Sequence, residues 1–301
     1  MLTNKQEIVF FSFLGLVLVV FIVLIYLIGN RVGNLQNVSK IPNDPLPIGS
    51  IEIEAKAAMV YDMVSQKVLF AKNPDTRLPL ASLTKVMTAL VAREIYSKDS
   101  EITITEEAIR ESGDAGLTVG ERWRLEDLLD FSLITSANDG MKAISLMSKD
   151  FISLMNTRAN QIGMKNTYYM NDTGLDESKV QGGAYGTARD QTLLLEHILR
   201  NYPDLLSATR VATLTLKSLD GVTHIARNTN LIVGEIPGLI ASKTGFTNLA
   251  GGNLLIAFDP EVGRPIIISI LGSSEEGRFS DMQKLVQASL ASVENSVISI
   301  E

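Results

Sequence analysis

Pro79-Leu80-Ala81-Ser82-Leu83-Thr84-Lys85 places a hydroxyl three residues before an amine, at the head of an amphipathic run. From Leu83 the apolar residues fall at Val86, Met87, Leu90, Val91 and Ile95. That spacing predicts a helix with one buried face. Pro79 lies just upstream, where it cannot break the hydrogen-bond ladder. Residues three apart on a helix are neighbours, so Lys85 stands one turn above Ser82 on the same side. A serine at a helix N-terminus also sits among free backbone N–H groups, at the positive end of the dipole. An alcohol, a candidate base and oxyanion donors are the parts of an activated nucleophile.

Composition narrows the chemistry. The 301-residue chain has no cysteine and only two histidines, His197 and His224. Disulfides, thiolate metal sites and a cysteine nucleophile are excluded. The histidines lack metal-ligand spacing, and a Ser-His-Asp triad is poorly supplied, so lysine is the more natural base for Ser82. No metal and no cofactor are expected. A net charge of −7 argues against a nucleic-acid surface.

Val9 to Ile28 is unbroken by any charge. About twenty apolar residues span a bilayer, and no small-residue cleavage site follows Ile28. The expected organisation is a short tail at 1–8, a single-pass transmembrane anchor at 9–28, a linker at 29–50 and one domain over 51–295. The linker holds Asn43-Asp44-Pro45-Leu46-Pro47, which cannot be regular helix. Lys5 precedes the span while Arg31 and Lys40 follow it, so the positive-inside rule does not set its orientation.

Within the domain, 51–61 and 67–72 read as a strand hairpin. Helical patterns follow at 125–135, 141–147 and 151–162, with Gly163 as a stop. Thr187-Ala188-Arg189-Asp190 reads as a capping box opening another helix. Strands are expected at 211–219, 238–244, 252–258 and 265–271, then a helix at about 280–294. Short connections between the late strands predict antiparallel pairing. The first hairpin is expected beside them in one sheet, with helices on its faces.

Two more short motifs complete the set. Ser136-Ala137-Asn138 falls between helical stretches, and Lys243-Thr244-Gly245 falls at the end of an expected strand. A Ser-x-x-Lys, a Ser-x-Asn and a Lys-Thr-Gly in this order are the known triple of penicillin-binding proteins and related β-lactamases. Over residues 51–295 the sequence resembles the serine-type D-alanyl-D-alanine carboxypeptidases, the low-molecular-mass penicillin-binding proteins. The resemblance rests on Pro79 to Leu90, Leu128 to Asp139, Asn171 to Asp176, Thr187 to Asp190 and Lys243 to Gly251. It implies an α+β fold of the β-lactamase/transpeptidase-like type: an antiparallel sheet flanked by helices, an all-helical subdomain, and the active site between the two.

The resemblance also implies roles. Ser82 attacks the carbonyl between the last two D-alanines of a peptidoglycan stem peptide. Lys85 takes its proton, its pKa lowered by desolvation and by the cation Lys243. Ser136 relays a proton to the leaving amine. Asn138 binds the peptide backbone, Lys243 and Thr244 suit a terminal carboxylate, and Gly245 lets the strand approach. The N–H groups of Ser82 and Phe246 form the oxyanion hole. Arg278, just before the last helix, matches a family position for binding the substrate carboxylate. Asp172, Gly174 and Asp176 read as turn residues. β-Lactam antibiotics are implied as covalent inhibitors. The expected location is the cell membrane, with the catalytic domain outside the cytoplasm.

Many family members carry a cleaved signal and a second, β-rich domain; here the anchor at 9–28 is expected to take over membrane attachment. The motifs leave the substrate open between a carboxypeptidase, an endopeptidase cutting D-alanyl cross-links, a class A-like β-lactamase and a silent wall-binding protein. A class A β-lactamase needs a Glu-x-x-x-Asn between the second and third motifs. Glu177, Glu196 and Glu235 are the glutamates there, followed four residues on by Gln181, Arg200 and Leu239.

Overall fold

The apolar runs near the two ends of the domain meet in one five-stranded antiparallel sheet. The computed structural model describes residues 51–113 and 115–298. The chain divides into units 1–40 and 41–301, and every described residue belongs to the second. The expected tail, transmembrane span and linker over 1–50 lie outside the described residues. Among the described residues no helix is long and apolar enough to cross a membrane.

The first hairpin is β1 (Ala57–Asp62) and β2 (Lys67–Lys72). Its turn is held by the Asp62 carboxylate, which accepts from the N–H groups of Val64 and Ser65. After β3 (Leu78–Pro79) and a 3-10 turn at Ala81–Leu83 comes α1 (Thr84–Ile95). The next block runs β4 (Glu101–Thr103), α2 (Glu106–Ile109), β5 (Arg122–Arg124), α3 (Leu125–Thr135), α4 (Asn138–Ser145) and α5 (Phe151–Ile162). Then follow β6 (Tyr168–Tyr169), β7 (Ala184–Gly186), α6 (Ala188–Asn201), β8 (Thr213–Lys217) and β9 (Thr223–Arg227). The chain closes with β10 (Leu239–Thr247), β11 (Gly251–Phe258), β12 (Ile266–Ser273) and α7 (Gly277–Ile298).

The main sheet has the order β10-β11-β12-β1-β2: the late strands pair antiparallel and the first hairpin lies beside them, both as expected. Alternation along its central strands fills two cores. Met59, Tyr61, Leu255, Ile267 and Leu271 face Met87, Leu90, Leu194 and Ile198. Val60, Leu254, Ile256, Ile268 and Ile270 face Phe279, Met282 and Leu285 of α7. Burial on both faces explains why 266–271 reads as a nearly continuous apolar run rather than an alternating one.

Several expectations are corrected in detail. Residues 51–56 precede the first strand instead of belonging to it. The helical subdomain is not all-helical: β4 and β5 pair within it and carry Ile102 and Trp123 into the core. Three-residue strands are too short to show a period. Residues 213–217 pair with a strand not read from the sequence, β9. His224 on β9 lies against Trp123 and Phe131 and bonds Glu121 at 2.7 Å. Asn138 opens α4 and Arg278 sits inside the first turn of α7, so neither lies in a loop. Thr187 caps α6 by accepting from the Asp190 N–H. Asp190 does not reciprocate as a capping box; its carboxylate accepts from Asn166 N and Thr167 Oγ1 instead.

Candidate active site

The nucleophile turn is built by contacts from both sides. Ala81 holds a left-handed φ of 48°, a conformation costly for a residue with a Cβ. It is pinned by neighbours that leave no room for side chains. A Cβ on Gly174 would lie 1.8 Å from the Ala81 carbonyl oxygen, and Gly174 itself has φ +80°. A Cβ on Gly245 would lie 2.9 Å from the Leu80 oxygen and 3.2 Å from the Ser82 nitrogen. Gly174 therefore does more than turn the chain. Gly245 allows the close approach of β10 read from the sequence, although it lies within the strand rather than at its end. Asn253, fully buried on β11, donates to the carbonyls of Pro79 and Leu80 and accepts from Gly272 N. One side chain thereby ties the nucleophile turn to two sheet strands.

Ser82 is half-buried, with its Oγ 2.7 Å from the Lys85 amine. Lys85 is fully buried, and its amine also donates to the Thr173 carbonyl at 2.8 Å. A carbonyl oxygen can only accept. In the neutral amine an N–H points at Thr173, which leaves the lone pair available to the Ser82 hydroxyl. Burial pushes the Lys85 pKa down to about 7, opposed by the charges of Asp172, Glu111 and Asp139.

A second amine–hydroxyl pair comes from the other motifs. Lys243 donates to Ser136 Oγ at 2.8 Å and to the Thr244 carbonyl at 2.9 Å. Ser136 ends α3 with φ 60°, which turns the chain so that α4 can begin at Asn138. Burial holds Lys243 well below the ordinary lysine range, and the cations Lys85 and Arg278 push it further. The expected repulsion between Lys85 and Lys243 is thus felt at Lys243; desolvation is what lowers Lys85. The Thr244 hydroxyl lies 2.6 Å from that of Thr229.

The remaining candidates are placed less simply. The Asn138 amide donates to the Ser112 carbonyl, while its buried Oδ1 has no partner among the described residues. Arg278 is buried, and its Nη1 donates to the Gly245 carbonyl at 2.9 Å. Its guanidinium lies 4.7 Å from the Phe279 ring centre and 5.9 Å from that of Phe246. It braces the strand that carries Lys243 and Thr244. Phe246 is 42% exposed. Asp176 accepts from Thr247 Oγ1 and so clips the 171–176 segment to the end of β10. Thr173, Asn253 and Thr229 were not singled out from sequence, because each acts through a partner distant in the chain.

The family model described as D-alanyl-D-alanine carboxypeptidase matches residues 40–275. The chain belongs to the D-alanyl-D-alanine carboxypeptidase family. It is 34% identical over 225 residues to the D-alanyl-D-alanine endopeptidase of Pseudomonas aeruginosa, covering 71% of this chain and 70% of that one. It is 29% identical over 251 residues to the carboxypeptidase DacF of Bacillus subtilis, covering 80% of this chain but 63% of DacF. Among solved structures it resembles a penicillin-binding protein from Listeria monocytogenes in its ampicillin-bound form. The TM-score is 0.70 at 29% identity, over 80% of this chain and 99% of that one.

The depressed Lys85 pKa predicts a pH dependence with a definite sign. A base must be neutral to take a proton, so its active fraction grows as pH rises through about 7 and then levels off. Acylation of Ser82 by a β-lactam is expected to follow that curve in stopped-flow measurements. Lys85→Arg keeps the charge but cannot deprotonate near neutral pH. It is expected to fold and lose about 10²–10⁴ in acylation rate. A flat profile, or an active arginine variant, would remove Lys85 from the role.

Proposed function

We propose that this chain is a membrane-anchored serine D,D-carboxypeptidase that removes the terminal D-alanine from peptidoglycan stem peptides. The observation that carries the reading is the buried Lys85 amine 2.7 Å from Ser82 Oγ, with Lys243 and Ser136 forming a second such pair. Ser82 Oγ attacks the carbonyl of the penultimate D-alanine while its proton passes to Lys85. The oxyanion that forms takes hydrogen bonds from the backbone N–H groups of Ser82 and Phe246. The C–N bond then breaks as Ser136 hands a proton to the departing amine and regains one from Lys85, so the proton taken from Ser82 ends on D-alanine and Lys85 returns to its neutral form. D-Alanine leaves, and water hydrolyses the ester on Ser82. Lys243 and Thr244 hold the substrate carboxylate; an anion there restores the protonated form of Lys243 that burial disfavours. Asn138 hydrogen-bonds the stem-peptide backbone through its unpartnered Oδ1.

The same reading makes the enzyme penicillin-sensitive and a poor β-lactamase. None of the three glutamates after the second motif is followed four residues on by asparagine, as the water-holding pattern of a class A β-lactamase requires, and each already accepts hydrogen bonds elsewhere. Glu177 accepts from Asn171, Glu196 from Tyr61 and Arg200, and Glu235 from Gln283. The Listeria relative solved in its ampicillin-bound form supports β-lactam binding. A second reading, D,D-endopeptidase, is favoured by the 34% identity to the Pseudomonas endopeptidase.

Labelling with a fluorescent penicillin followed by mass mapping is expected to place one adduct on Ser82 that persists for minutes, with D-alanine released from a diacyl-D-Ala-D-Ala peptide. Labelling that survives Ser82→Ala, or rapid turnover of nitrocefin without D-alanine release, would overturn the proposal. Cleavage of cross-linked muropeptides in preference to free pentapeptides would select the endopeptidase reading.

Residues 9–28 are proposed as the anchor, with the domain from 51 onward outside the cytoplasm, where peptidoglycan is found. The domain is expected to be digested by protease added to intact spheroplasts. Full protection would place it on the other side.

A further inference from the structure

The Asn171-Asp172-Thr173-Gly174 segment, read from sequence as a turn, runs directly beneath Lys85. Thr88, one turn along α1 from Lys85, donates its hydroxyl to the Asp172 carbonyl at 2.6 Å. The next carbonyl, of Thr173, accepts from Lys85 at 2.8 Å. The Asp172 side chain turns away from solvent and is only 2% exposed. Its Oδ2 accepts from Ser145 Oγ and lies 3.7 Å from the Lys142 amine, both on α4. Its Oδ1 has no partner among the described residues. A buried carboxylate with an unfilled acceptor is expensive unless it acts on something. Several charged groups share its surroundings, and Glu177, which accepts from Asn171, is one of them. Glu111 follows α2, Asp139 and Lys142 stand on α4, Lys85 on α1 and Lys243 on β10.

We propose that Asp172 is a positioning residue for the general base: clamped by Thr88, Ser145 and Lys142, it seats the Thr173 carbonyl on Lys85 and aims the amine's lone pair at Ser82. The proposal rests on the assignment of Lys85 as the base. It also gives Asp172 an electrostatic part. Among the charges acting on Lys85 the Asp172 carboxylate is the largest, and it favours the protonated amine, against burial. Asp172 thus keeps Lys85 titrating near neutrality instead of below it, where the amine would be a weaker base toward the serine proton. Lys142 moderates that effect from the far side of the carboxylate.

The test is the pH profile of Ser82 acylation by a fluorescent penicillin, measured on the full chain. Asp172→Asn keeps the shape and an acceptor for Ser145 but loses the charge. Its acylation midpoint is expected to fall by about one pH unit, the low end of what one nearby charge does. Lys142 is partly exposed, so Lys142→Gln tolerates the change and serves even where Asp172→Asn does not fold. Its midpoint is expected to rise, because the Asp172 charge is left unopposed. A purely structural role would change the amount of folded enzyme and leave both midpoints in place. A wild-type midpoint near 7 that stays put in the folded variants overturns the role of Asp172 alone. A wild-type profile with no midpoint there overturns the Lys85 assignment and this proposal with it.

Discussion

Removal of the Lys85 amine from water is the constraint on which the site depends. Lowering its pKa from 10.5 to about 7 costs the cation on the order of 5 kcal/mol. That penalty is comparable to the net stability of many domains, so it must be imposed by packing that is strong elsewhere. The two apolar cores on either face of the sheet supply it, each fully buried leucine or isoleucine contributing about 1.5–3 kcal/mol. The linkage has a clear sign. Between about 7 and 10.5 the unfolded chain binds a proton at Lys85 that the folded chain does not. This one group therefore makes the fold more stable as pH rises through that window.

The site is assembled where the sheet meets the helical part. α1 carries Ser82's partner Lys85, the α3–α4 junction carries Ser136, and β10 carries Lys243. None of these could adjust freely. Gly174 and Gly245 close on the Ala81–Ser82 turn at distances that exclude a side chain. Asn253 locks the same turn to β11 and β12. Preorganisation of this kind places donors and base before substrate arrives, and that is where most of the catalytic benefit of such sites lies.

Much of this was legible in the sequence, for identifiable reasons. Ser82 and Lys85 are three apart on one helix, so local geometry alone brings them together. Ser136, Lys243 and Gly245 were readable as motifs, and the 265–271 run was readable as a strand. What escaped reading depends on contacts made across the fold. Thr173 meets Lys85 from 88 residues away, and Asn253 reaches Pro79 from 174 residues away. β4 and β5 are too short to leave a periodic trace, and on β9 the inward positions are His224 and Ala226 while Ile225 is exposed, so hydropathy does not mark its buried face. Asn138 and Arg278 were expected outside helices because cap positions blur by a residue or two. The half-formed capping box at Thr187 shows the same limit: Asp190 was free to take a tertiary partner instead of the backbone N–H of its own cap.

The proposed chemistry needs a neutral Lys85, and that state can be observed directly. Lysine side-chain nitrogens labelled with ¹⁵N report protonation by their chemical shift. Assigned through Lys85→Arg, the Lys85 signal is expected to titrate near pH 7, several units below the exposed lysines, and to belong to a neutral amine at pH 8.5. A Lys85 signal that remains that of an ammonium up to pH 10 would contradict it.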